Sequence, residues 1–145
     1  MAISESLSDI FGTYMEHRIL GEDADYLIAS ERSATGIRSL LNPKSKGHAD
    51  TYLGQWYSNN TSNPQTFKYH NAGVMNYWFY LLCEGGSGMN DNDTTYSVDA
   101  IGIESAFRIV QRMESMYFTS NATYEDALYI AQIAAQDLFG PCSNE

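Results

Sequence analysis

Apolar residues recur at helical spacing in four separate stretches of this chain, and no stretch alternates in the manner of a sheet. The first covers about residues 4–19. Ile3, Leu7, Ile10, Phe11 and Tyr14 share one face of it. Glu5, Asp9, Gly12 and Glu16 lie within roughly 40° of one another on the opposite face, because each helical residue turns by about 100°. The second helix is predicted at about residues 72–84, with Asn71 as its N-cap. Val74, Met75, Tyr77, Trp78, Phe79, Tyr80, Leu81 and Leu82 make it apolar nearly all round, the mark of a buried helix. Gly85-Gly86-Ser87-Gly88 stops it. The third, at about 101–117, carries Ile103, Phe107, Val110, Met113, Met116 and Tyr117 at helical spacing. The fourth, at about 124–139, opens on Thr123 as cap, holds Glu125 and Asp126 in its first turn and ends at Gly140-Pro141.

A loop-rich stretch separates the first two helices and runs to about residue 70. It holds Asn42-Pro43, Gly47, Gly54 and the polar tract 58–65. So long a loop in a compact domain carries function or lines another domain. A shorter loop, Asn90-Asp91-Asn92-Asp93, is acidic but lacks the glycine and the distal glutamate of an EF-hand loop, so it reads as a solvated turn. The fold class that follows is mainly α: an irregular helical bundle with long loops, in a single domain over residues 1–145.

Length allows one domain with a modest core, since the chain has 145 residues. Eight basic residues against eighteen acidic ones give a net charge of −10, which argues against a nucleic-acid surface and permits divalent cations. No apolar run is long enough to span a bilayer, and Met1 leads straight into the helix pattern with no secretory signal. Cys83 and Cys142 would be able to pair in a secreted parent, although the apolar helix pattern around Cys83 favours a buried thiol. The stripe with Glu5 and Asp9 one turn apart suits a cation or a histidine, with another backbone packed against Gly12. A solvated acidic face near a helix N-terminus is the alternative.

The run Ile-Ser-Glu-Ser-Leu-Ser-Asp-Ile-Phe-Gly at residues 3–12 resembles the helix that follows the zinc-binding helix in thermolysin-like neutral metalloproteases. The resemblance implies that Glu5 is the third protein ligand of a catalytic zinc and that Asp9 orients a zinc-bound histidine. Residues 38–52 resemble the family's R-S-M-S-x-P…G-x-P-D-x-Y stretch, which implies that Arg38 binds a substrate carbonyl. Asn71, Gly73, Asn76, Tyr80 and the paired glycines are similar to the next family helix, and Asp137-Leu138-Phe139-Gly140 to its D-L-Y-G ending. Glu16 and Asp25 match the family's calcium site, with Glu22 and Glu31 nearby. Ser30 stands where a ligand glutamate is usual, so calcium is expected to be weak or absent.

Two departures shape the expectation. The H-E-x-x-H helix, source of two zinc-binding histidines and the general base, is not in this chain. The chain therefore reads as a fragment of a larger two-domain parent, inactive alone, with the family's last helix also missing after Glu145. In place of the family's H-x-N-S-G stands Tyr69-His70-Asn71-Ala72-Gly73, so Tyr69 takes the oxyanion-stabilising position and His70 falls one residue late. Either side chain has a donor for an oxyanion. Pro64 stands near the place of the aspartate that normally pairs with the histidine. The resemblance implies the C-terminal domain of a secreted zinc endopeptidase, whose partners are a peptide or protein substrate and the missing N-terminal domain. A non-catalytic scaffold or binding module derived from such a protease is the alternative. Surface bared by the missing domain is expected to promote self-association. A Glu5 carboxylate pointing away from any concave surface, or locked into an internal ion pair, would collapse the protease reading.

Overall fold

A computed structural model describes residues 2–141. Four helices form the fold: α1 (Ala2–Leu20), α2 (Pro64–Glu84), α3 (Gly102–Arg112, continued by a wider π turn Met113–Tyr117) and α4 (Tyr124–Phe139). Two small antiparallel ladders join them. One pairs β1 (Leu27–Ile28) with β2 (Arg38–Ser39), and the other pairs β3 (Gly86–Met89) with β4 (Thr95–Val98). The mainly α expectation therefore holds. The glycine run after α2 does more than stop that helix, since it forms one strand of the second ladder, in register from Gly86↔Val98 to Met89↔Thr95. Strand β3 is exposed throughout and imposes no alternation, while β4 alternates exposed Thr95 and Ser97 with half-buried Tyr96 and Val98 over only four residues, too short a run to stand out in the sequence.

Helix α1 packs mainly on α2 and also touches α3. Its buried stripe is Ala2, Ile3, Ser6, Asp9, Ile10 and Thr13. Small side chains let α2 come close enough for the Ser6 hydroxyl to donate to the Ala72 carbonyl at 2.5 Å. Asp9 is thus drawn under α2, and the solvated acidic face predicted as the alternative is not what forms there. The other apolar residues turn to α3, where Phe11 meets Phe107 edge-on at 4.8 Å and Tyr14 stacks on the same ring at 3.7 Å. No backbone packs on Gly12, where an added Cβ would meet nothing within 4 Å. Gly73 on α2 takes that role, because a Cβ there would run into the Ala49 carbonyl and come within 2.8 Å of the Pro43 side chain.

Helix α2 starts two turns before its predicted position. Asn63 is the N-cap, its side chain accepting from the Thr66 N–H, and Pro64 occupies the first helical position. Asn71 is buried mid-helix instead. Its amide accepts from the Ser58 N–H at 2.8 Å and donates to the Ser58 carbonyl at 2.9 Å, fastening the long loop to α2. The Tyr124 hydroxyl donates to the Asn71 carbonyl at 2.6 Å and ties down α4 as well. Helix α4 keeps its predicted ends, with a reciprocal capping box between Thr123 and Asp126. Its outer face exposes Leu128, Tyr129 and Ile133.

Phe79, Ile10, Leu40, Ile109, Val110 and Met113 form the fully buried centre. Cys83 is also buried, and that burial pushes its thiol up to about 12. Cys142 lies outside the described residues, and so does any pairing with it. The turn at 90–93 is less solvated than predicted. Asp91 accepts from the Lys44 ammonium at 2.5 Å and from the Gln55 N–H at 3.0 Å, which pins two loops together. Among the described residues no helix is long and apolar enough to cross a membrane.

Candidate active site

The charged side chains singled out in the sequence converge where α1, β2 and the first turns of α2 meet. Strand β2 is only two residues long, with Arg38 opposite Ile28. Gly36 makes the strand possible. It sits at φ +62°, and a Cβ there would come within 2.9 Å of the Leu27 side chain. That turn delivers Arg38 to α1. Its Nε and Nη2 donate to the two oxygens of Asp9 at 2.7 and 2.6 Å, a two-pronged pair. The Asn76 side-chain amide donates to the same carboxylate at 2.8 Å from α2. Asp9 is 3% exposed and its partner Arg38 only 17%. The hydrogen bonds that Arg38 donates to Asp9 raise its guanidinium pKa above the ordinary value despite the opposing effect of burial. The Oδ1 of Asn76 is buried without a hydrogen-bond partner among the described residues.

One turn earlier on α1, Glu5 is only partly buried. Its Oε1 accepts from the Lys68 ammonium at 2.6 Å, while its Oε2 has no hydrogen bond within the described residues. Tyr69 joins the two ion pairs, since the Lys68 ammonium lies 4.6 Å and the Arg38 guanidinium 5.4 Å from its ring centre. His70 turns toward His48 on the facing loop, with ring centres 5.4 Å apart. Burial, with the nearby His70 and Arg38, pushes the His48 imidazole below its ordinary range and keeps it neutral at pH 7.

Glu5, Asp9, Arg38 and Tyr69 are thus gathered at one place, with His70 beside them. Within the described residues Asp9 engages Arg38 and Asn76, and the histidine that the resemblance pairs with it would lie outside this chain. Lys68 and His48 were not picked out from the sequence. Lys68 is 63 positions from the carboxylate it meets, so no local spacing signals the pair. Glu16, Asp25 and Glu31 form a separate acidic neighbourhood. Burial and then the charges of Asp25 and Glu31 push the Glu16 carboxyl up. Asp25 accepts from the Leu27 N–H at 2.7 Å, and Glu22 lies exposed on the short 3-10 turn Gly21–Asp23. Among the described residues, no three histidine, cysteine, aspartate or glutamate side chains are placed to hold a metal ion.

Comparison with known proteins identifies the family. Residues 2–145 match the family model described as the thermolysin metallopeptidase alpha-helical domain. Bacillolysin from Bacillus cereus is 30% identical over 151 residues, covering 99% of this chain and 25% of that protein. Bacillolysin from Brevibacillus brevis and thermolysin from Alicyclobacillus acidocaldarius subsp. acidocaldarius are each 30% identical, covering 99% of this chain and 26% of theirs. The chain spans about a quarter of the length of the relatives it matches. With four helices in place and the matched region running from α1 past the end of α4, the chain belongs to the thermolysin metallopeptidase family, as its C-terminal alpha-helical domain.

Proposed function

We propose that this chain is the helical domain of a secreted, zinc-dependent endopeptidase, and that the face built by α1, β2 and α2 lines the substrate cleft against an N-terminal domain. One observation carries the reading. The Asp9–Arg38–Asn76 cluster holds a guanidinium rigidly one helical turn from a partly buried carboxylate, Glu5. The residues present fit a share of a zinc site. Glu5 offers one unengaged carboxylate oxygen, a ligand type zinc accepts, and the other ligands would come from polypeptide outside this chain. When bound, zinc would polarise the scissile carbonyl and activate water.

The chain's own residues have separable tasks. Asp9 fixes the Arg38 fork through two of its five N–H groups and leaves the others for a peptide carbonyl. Tyr69, its ring against Arg38 and Lys68, is on the Glu5 side and carries a phenol able to donate to an oxyanion. His70, beside His48, is the less direct candidate for that donation. Glu16 and Asp25, with Glu22 at the edge, would give calcium a weak seat at most. Alone, the chain is expected to be inert, since it supplies neither the general base nor a second zinc ligand.

The complete parent is expected to cleave casein and to lose that activity on chelation. Substituting Arg38→Met in it is expected to lower kcat/KM by roughly a hundredfold through lost substrate positioning. Cleavage indifferent to chelator, or unchanged in R38M, would overturn this reading. A second reading, a non-catalytic scaffold, is favoured by the Lys68–Glu5 ion pair and by Tyr69 in the histidine position. Substoichiometric zinc with no turnover in the parent would establish it.

A further inference from the structure

We propose that Lys68 is a resident counter-cation that competes with a divalent metal for the Glu5 carboxylate, so that the metal enters only when the ammonium leaves. The inference rests on the reading of Glu5 as a ligand and goes beyond it, because nothing else assigns Lys68 a role.

Three observations support it. The Lys68 ammonium sits 2.6 Å from Oε1 of Glu5, in the space a cation on that oxygen would need. The pair is sheltered, with Lys68 26% and Glu5 22% exposed, so solvent screens it less than an open surface pair. Lys68 is also held from behind, its ammonium lying 4.6 Å from the Tyr69 ring centre. A divalent ion on the same carboxylate would stand within a few ångströms of a positive charge, and Coulomb repulsion at that distance is large. Only Oε2 is left unengaged, and an ion bound through it would still face the ammonium across the carboxylate. Arg38 makes no hydrogen bond to Glu5, its two bound donors being on Asp9, but its charge also acts on the Glu5 carboxylate and adds to the repulsion an incoming cation meets.

The test uses the full chain and manganese(II), which prefers oxygen ligands to imidazole and so reports on carboxylates. Paramagnetic broadening of the amide signals of residues 4–8 reads metal at Glu5, and broadening at residues 22–25 serves as an internal reference. In Lys68→Met and Lys68→Gln the signals of residues 4–8 are expected to broaden at about a tenth of the manganese concentration that the unaltered chain needs. Lys68→Arg, which keeps the charge, is expected to behave like the unaltered chain. The reference residues are expected to respond alike in all of them, which also shows that the variants fold. Equal titrations at residues 4–8 in K68M, K68Q and the unaltered chain would overturn the competition, and so would no broadening there in any of them. Glu5→Gln separates the two ideas. If it abolishes the broadening while the Lys68 variants change nothing, competition fails and the ligand reading stands. If the broadening survives E5Q, the ligand reading itself fails.

Discussion

Replacing Asp9 with alanine is expected to destabilise the folded chain by about 3–5 kcal/mol, the range for removing one partner of a buried ion pair. The loss is large because three groups depend on one carboxylate. Arg38 would keep its charge at a site only 17% exposed, with two donors unpaired. The Asn76 amide would lose its acceptor while its Oδ1 is already without a partner. Asp9→Asn keeps an acceptor for Asn76 and nearly the same volume, so its cost is expected to be smaller, with the difference reporting the charge. Guanidinium denaturation read by circular dichroism measures both. A cost below about 1 kcal/mol for D9A, the level of an exposed pair, would mean that Arg38 simply swings into solvent.

Truncating Phe79 to alanine is expected to cost a similar 3–5 kcal/mol, by a different mechanism. Phe79 is fully buried on α2, in the core shared with α1 and α3. Its removal loses the ring's transfer free energy and leaves a cavity that helices on two sides fill only in part. No charged group at the site is touched. The Arg38 Nε–H resonance is therefore expected to persist in F79A, and to be lost or moved in D9A. A loss of that resonance in F79A at full folding would show that the site depends on the α1–α2 spacing more than on its own hydrogen bonds.

These two residues mark what the sequence made legible and what it did not. Phe79 lay in a helical run apolar nearly all round, which marked the helix as buried, although only packing decides that Phe79 and Met75 are buried while Val74, Tyr77 and Trp78 are half-buried. Helix α4 was equally legible, because Thr123, Asp126 and Gly140 are local signals that act within a single turn. The start of α2 was not. Of its first two turns only Pro64 and Gln65 are exposed and residues 66–70 are all half-buried, so burial leaves no period there, and the only signal was the Asn63-Pro64 pair inside a polar tract. The hairpin was hidden for the same reason, since its glycine-rich strand has no buried face to alternate against.

At the candidate site, the family pattern singled out Glu5, Asp9 and Arg38, which the structure brings together, but it gave no sign of their mutual contacts. Asp9 and Arg38 are 29 positions apart and Glu5 and Lys68 are 63 apart, separations at which only the packing of α1, β2 and α2 decides which charges meet. The same packing explains why Gly73, and not Gly12, receives a neighbouring backbone. It also explains why Asp9 is buried, and not on the solvated acidic face that the charge pattern offered as the alternative.

The most direct measurement of the central idea, that Glu5 supplies this chain's one oxygen to a metal shared with another domain, is the zinc content of the purified complete parent. One zinc per chain in the unaltered protein, falling to a small fraction in Glu5→Gln with the fold intact, is the expected result. A full complement of zinc retained in E5Q, or none in the unaltered protein, would contradict it.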